Sequence, residues 1–246
     1  MKLTNFKITK AILAALAIFF VSGVDANATL IYSNNFEDTV GSEWSVNTTS
    51  VTPIGNRHFL GDFSNDSTTL TLSGLSAGLA TVSFDVYFIR SWDGDNQAFG
   101  PDYFNVAINN SQLLHQSFSN GDLSMQSNAS QAAERYTLGY SYYNGLPGYN
   151  VTYSNMDSVY HFVLTLPSLS NLMAITFSGK GLQDNYVTGL DGSSYLDESW
   201  GLDNVIVDVA PVPEPSGLLM LFTGGAILLI LCWRKPFNSA RLYLNI

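Results

Sequence analysis

The stretch RSWDGDNQAFGPDYF, Arg90 to Phe104, sets three aspartates and an asparagine around two glycines. Asp93, Asp95 and Asn96 alternate oxygen ligands across a tight glycine-containing turn, and Asp102 is placed to return to the same point. Calcium wants about six to eight oxygens and often takes them from a loop of this kind. The expectation is therefore a calcium site at Asp93, Asp95, Asn96 and Asp102. The plain alternative is that Asp, Asn and Gly stand here because turns favour them. Other chemistry is poorly represented. His58, His115 and His161 show no zinc-type spacing, and no nucleophile elbow, phosphate-binding loop or dinucleotide fingerprint occurs. The one cysteine, Cys232, lies in the C-terminal tail, which excludes thiol catalysis, cysteine-ligated zinc and disulfides in the body of the chain. The reading is a non-catalytic protein.

These residues must be positioned by strands. Period-two alternation puts Val82, Phe84, Val86 and Phe88 on one face, as it does Phe104, Val106 and Ile108. The same holds for Phe162, Leu164 and Leu166, for Ile175 and Phe177, and for Val205, Val207 and Val209; TTLTL, Thr68 to Leu72, alternates too. Gly, Asn, Asp and Ser fill the gaps, and no amphipathic helix is evident in the body. The fold class expected is all-β, an antiparallel β-sandwich of jelly-roll type, with a closed barrel as the alternative. Residues 121–155 read as a long decorated loop with room for a short strand. Its tyrosines, among them Tyr140, Tyr142, Tyr143 and Tyr149, suit a sugar-stacking platform, or else a loop packed by its own side chains.

The ends differ from the body. Residues 1–28 carry three lysines, an apolar run and a small-x-small close at Ala26 and Ala28, the layout of a secretory signal peptide. Residues 29–209 make one domain, long enough to bury roughly 70% of its unfolded surface. Between Thr29 and Ala210 stand four basic and eighteen acidic side chains, a net charge of −14, which repels phosphate backbones and excludes nucleic acid as a partner. Residues 210–216 are a stiff proline-rich linker. Residues 217–233 carry no charge, near the lower end of the about 17–25 residues a membrane-crossing helix needs. Arg234 and Lys235 open the basic tail, 234–246, and place it in the cytoplasm with the domain outside.

Val212-Pro213-Glu214-Pro215, followed by that span and the basic pair, resembles the PEP-CTERM sorting signal of Gram-negative bacteria. The resemblance implies recognition at Pro-Glu-Pro by an exosortase, removal of the anchor, and release to the cell surface or an exopolysaccharide matrix. The body resembles the lectin-like or concanavalin-like sandwiches often found ahead of such tails, through Asn35-Phe36-Glu37 with Trp44 following, Ser91-Trp92-Asp93-Gly94, Gly100-Pro101-Asp102, and Ser199 to Val205. In many such sandwiches the first and last strands lie side by side and share a structural calcium, which here would join Glu37 and Asp203. The function implied is adhesion or matrix association, with a carbohydrate-binding module and a secreted hydrolase as the other readings.

Overall fold

The computed structural model describes residues 27–143, 153–168, 171–183, 186–188, 194–211 and 224–227. Ala26, residues 212–223 with the Pro-Glu-Pro motif, and most of the expected span lie outside them, as does Tyr149; so do the side chains of Tyr142 and Tyr143. Residues 224–227 are helical, and among the described residues no helix is long and apolar enough to cross a membrane.

Residues 27–211 form a unit built almost wholly of strands. In chain order these are β1 (Thr29–Asn34), β2 (Thr49–Val51), β3 (His58–Phe63), β4 (Ser67–Ser73), β5 (Gly78–Arg90), β6 (Tyr103–Ile108), β7 (Ser111–Ser117), β8 (Glu134–Arg135), β9 (Ser141–Tyr143), β10 (Tyr153–Asn155), β11 (Asp157–Ser168), β12 (Leu172–Lys180), β13 (Tyr186–Thr188), β14 (Ser194–Leu196) and β15 (Glu198–Pro211). One sheet has seven strands in the order β2-β3-β15-β5-β11-β8, with β1 also paired to β15; the other has four, β4-β12-β6-β7. Every pairing is antiparallel. The two sheets face each other as a β-sandwich of jelly-roll type, not a closed barrel. The alternating apolar sets meet between them. Phe84 of the large sheet packs edge-on against Phe177 of the small one at 5.0 Å between ring centres, and Phe88 against Phe104 at 5.6 Å. Each large side chain so buried contributes about 1.5–3 kcal/mol.

The last long strand changes parity. Trp200 and Leu202 point inward, and so do Val205, Val207 and Val209. A register shift against β5 between Asp203 and Ile206, with Asn204 at φ 48°, makes this possible. A bulge inserts one residue and turns the strand over by one side chain, and asparagine tolerates the left-handed backbone that this needs.

A second, smaller apolar cluster covers the outer face of the large sheet: Phe59, Tyr87, Ile89, Leu138, Tyr140 and Val159. The segment that closes over it is held by Asp157, whose carboxylate accepts the backbone N–H groups of Leu138, Gly139 and Tyr140 at 3.1 Å each. A chain trimmed to residues 29–209 keeps all of these contacts. It is expected to stay monodisperse in calcium-containing buffer by size-exclusion chromatography; aggregation would show that the boundary is drawn wrongly.

Candidate metal centre

Three carboxylates converge at one end of the sandwich. Arg90 ends β5 at φ 68°, and the chain then turns through residues 91–102 before β6 begins. Gly94 sits at φ 64°, where an added Cβ would lie 2.1 Å from the carbonyl oxygen of Met125, so only glycine fits. The loop is drawn back on itself at Asp102. Its N–H donates to the Gly94 carbonyl at 2.9 Å, and its carboxylate accepts the N–H of Asp93. Glu198, the first residue of β15, lies opposite Arg90 across the β15–β5 pairing. It is tied to the chain after β12, since its carboxylate accepts the N–H of Gln183 and its own N–H donates to the Gln183 carbonyl at 3.3 Å.

One ligand atom each from Asp93, Asp102 and Glu198 lies within 4.8 Å of the others, and among the described residues this is the one such group of three or more. Asp102 and Glu198 are both 0% exposed, yet Asp102 Oδ1 and Glu198 Oε1 have no hydrogen-bond partner. Buried oxygens left bare cost free energy, and buried charges are normally paired or bound to metal. The electrostatics follow. Burial, then the charge of Asp197, pushes the Asp93 carboxyl up to about 6. Burial raises Asp102 and Glu198 as well, and each is raised further by acidic neighbours: Asp102 by Asp93, and Glu198 by Asp102 foremost. Three oxyanions at this spacing, in this little solvent, could hold a metal ion. Their all-oxygen character suits a hard divalent cation such as calcium or magnesium.

Of the residues expected from the sequence, Asp93 and Asp102 meet here. Asp95 and Asn96 stay in the turn. The Asn96 side chain accepts the N–H of Ala98 at 2.8 Å, and the Asp95 N–H donates to the Met125 carbonyl. The first and last strands do pair, which brings Glu37 and Asp203 within each other's field. Each already has donors: Asp203 takes the Tyr87 hydroxyl at 2.6 Å and the Asn204 N–H at 2.7 Å, while Glu37 accepts the His58 N–H at 3.2 Å. Tyr140 is turned inward, 8% exposed, with the Arg90 guanidinium over its ring at 5.1 Å. Burial lifts its hydroxyl above the usual tyrosine range. It belongs to the core and offers no platform. Glu198 was not among the expected ligands. The acidic pair Asp197-Glu198 before Ser199-Trp200 is its only sequence mark.

Fold and site together define an antiparallel β-sandwich with a three-carboxylate cluster, two of its members buried and Asp93 half-buried, able to hold a metal ion. No protein-family model and no curated protein matches the chain. Solved structures similar to it include latent PorU from Porphyromonas gingivalis, at 12% identity and TM-score 0.35, covering 77% of this chain; the chain spans only 14% of that protein's length. A family 35 carbohydrate binding module from an environmental isolate is similar at 11% identity and TM-score 0.28, covering 77% of this chain and 96% of the module. A family 35 module from Clostridium thermocellum is similar at 10% identity and TM-score 0.31, covering 74% of this chain and 98% of its own.

Proposed function

We propose that this chain is an exported protein of the bacterial cell surface or exopolysaccharide matrix, whose sandwich binds polysaccharide without catalysis and is braced by calcium at Asp93, Asp102 and Glu198. The observation that carries the non-catalytic reading is the burial of two members of the one group of three carboxylates that converges among the described residues: Asp102 and Glu198 present no surface to a substrate. The acidic site then serves an ion, and ligand contact falls to the loops. Calcium is favoured over magnesium because carboxylates from one loop and a strand distant in sequence suit its flexible coordination better than a tight octahedron.

The route outward is read from the ends of the chain. The signal-peptide layout of residues 1–28 supports export. Val212-Pro213-Glu214-Pro215, the uncharged 217–233 stretch and Arg234-Lys235 support sorting by an exosortase, with the domain outside the inner membrane before processing. Changing Pro213, Glu214 and Pro215 together to alanine is expected to leave the protein in the inner membrane at its unprocessed mass, by fractionation and immunoblotting. Shortening and surface delivery of the altered chain would overturn the sorting reading.

The adhesion reading is tested by pull-down of the calcium-loaded protein on insoluble and gel-bound polysaccharides. Retention on none of them would overturn it. Sugar or acyl release from a glycan and ester panel would favour a secreted hydrolase instead.

A further inference from the structure

Beside the start of β11 the surface opens into a cavity of about 430 Å³ lined by Asn120, Gly121, Tyr136, Asn155 and Met156. We infer that this cavity is a subsite for an uncharged sugar unit of a polysaccharide, with the Tyr136 ring as its stacking face. The inference rests on the polysaccharide-binding reading above and gives it a location.

Tyr136 is built into an unusual position. Its backbone lies at φ 61°, a region that aromatic residues rarely enter, and its N–H is fixed to the Asp157 carbonyl at 2.9 Å. Strain of this kind collects at ligand contacts, where surrounding structure holds it in place. The side chain remains 44% exposed even so. The ring does not swing freely. The Arg135 guanidinium stands over one face, 5.0 Å from the ring centre, and Arg135 Nη2 donates to the Tyr136 hydroxyl at 3.1 Å and to the Asn120 carbonyl at 2.7 Å. One face of the ring is thus backed by the guanidinium, while the side chain still lines the cavity and stays partly exposed to it. A rigid aromatic surface binds at low entropic cost, because little side-chain freedom remains to be lost.

The rest of the wall completes an amphipathic site. Asn120 is itself anchored: its amide donates to the carbonyls of Phe88 at 3.0 Å and Arg90 at 2.7 Å and accepts the Ser158 hydroxyl at 2.6 Å, so it acts as a fixed wall. The exposed Asn155 amide makes no hydrogen bond among the described residues and is free to meet hydroxyl groups. Met156 adds apolar surface at the rim. A sugar ring has the matching character, with an apolar C–H face and a hydroxyl edge. The volume lies within the usual range for small-molecule sites, about 300–1,000 Å³. An uncharged sugar is chosen because, among the described residues, no charged side chain lines the cavity. Arg135 Nε and Nη1 are shut away from solvent, and the surrounding domain carries a net charge of −14 that repels acidic chains.

The test is affinity electrophoresis of the full chain, held in a non-ionic detergent without sugar head groups, through gels containing mixed-linkage β-glucan, galactomannan, soluble starch or alginate. Retardation is expected in at least one of the three neutral gels and not in alginate. Tyr136→Ala should weaken the association at least tenfold, the effect of losing one central aromatic anchor, and Tyr136→Phe should restore most of it. Asn155→Ala should weaken it less. Melting temperatures of the variants confirm that each is folded. If the wild type is retarded in a neutral gel and Tyr136→Ala is retarded equally, the subsite is wrong while polysaccharide binding stands. No retardation of the wild type in any of the four gels would overturn both, and retardation by alginate alone would overturn the uncharged ligand.

Discussion

Millimolar calcium added to the chelated protein is expected to raise its melting temperature by about 5–10 °C at fixed ionic strength. An ion at a hundredfold excess over its dissociation constant stabilises the native state by about 2.7 kcal/mol. A domain of this size moves roughly 2–4 °C per kcal/mol. Magnesium should do less. Equal melting temperatures in calcium, magnesium and chelator would remove the site. Glu198→Gln separates this cluster from the Glu37–Asp203 pair. Without metal the amide needs no proton to stay neutral beside Asp102, so the variant should melt no lower than wild type in chelator and should lose the calcium response. Asp203→Asn should keep it. The pH dependence has a definite sign. Asp93, Asp102 and Glu198 are all raised in the folded state, chiefly by burial, so the metal-free fold binds more protons than the unfolded chain above about pH 4. Its stability is therefore fully present below that point. It declines as pH rises through about 6 for Asp93, and further as the Asp102–Glu198 pair ionises. Calcium replaces those protons, so its stabilising effect should grow between pH 5 and pH 8.

Replacing Trp200 by alanine should cost about 3–5 kcal/mol and lower the melting temperature by about 10–15 °C. Trp200 is 0% exposed and joins the two sheets. From β15 in the large sheet its ring meets Phe63 at 4.7 Å and Phe104 of the small sheet at 5.2 Å. Its indole N–H donates to the Ser64 carbonyl at 2.8 Å. The space it occupies is cut for it: a Cβ on Gly179 would lie 2.6 Å from the indole nitrogen. Truncation leaves both a cavity and a bare carbonyl. Trp200→Phe refills part of the cavity without the donor and should fall between. A drop of under 2 °C for Trp200→Ala would mean that this contact between the sheets is not the support described here.

The strands were legible because alternation is local. Val82 to Phe88, Phe104 to Ile108 and Val205 to Val209 each announce a buried face within a handful of residues, and each became a wall of the core. Less regular strands were harder to see. In β3 the sequence HFLGDF buries Phe59 on one face of the sheet and Leu60 on the other, so it shows no simple period. Tyr140 read as a loop aromatic because nothing nearby in sequence shows that Asp157 folds residues 138–140 over the outer face of the sheet. The metal site divides in the same way. Asp93 and Asp102 lie nine positions apart with turn-forming glycines between them, and chain geometry alone brings them together. Glu198 comes from about a hundred residues further along. It arrives only because β15 pairs with β5, placing Glu198 across from Arg90 at the mouth of that same loop. By itself the sequence determined the alternating faces, the acidic loop and the uncharged tail, because side-chain pattern acts over a few residues. Which carboxylate completes the cluster, and which tyrosine faces water, was decided by strand order, because pairing joins residues that no local pattern connects.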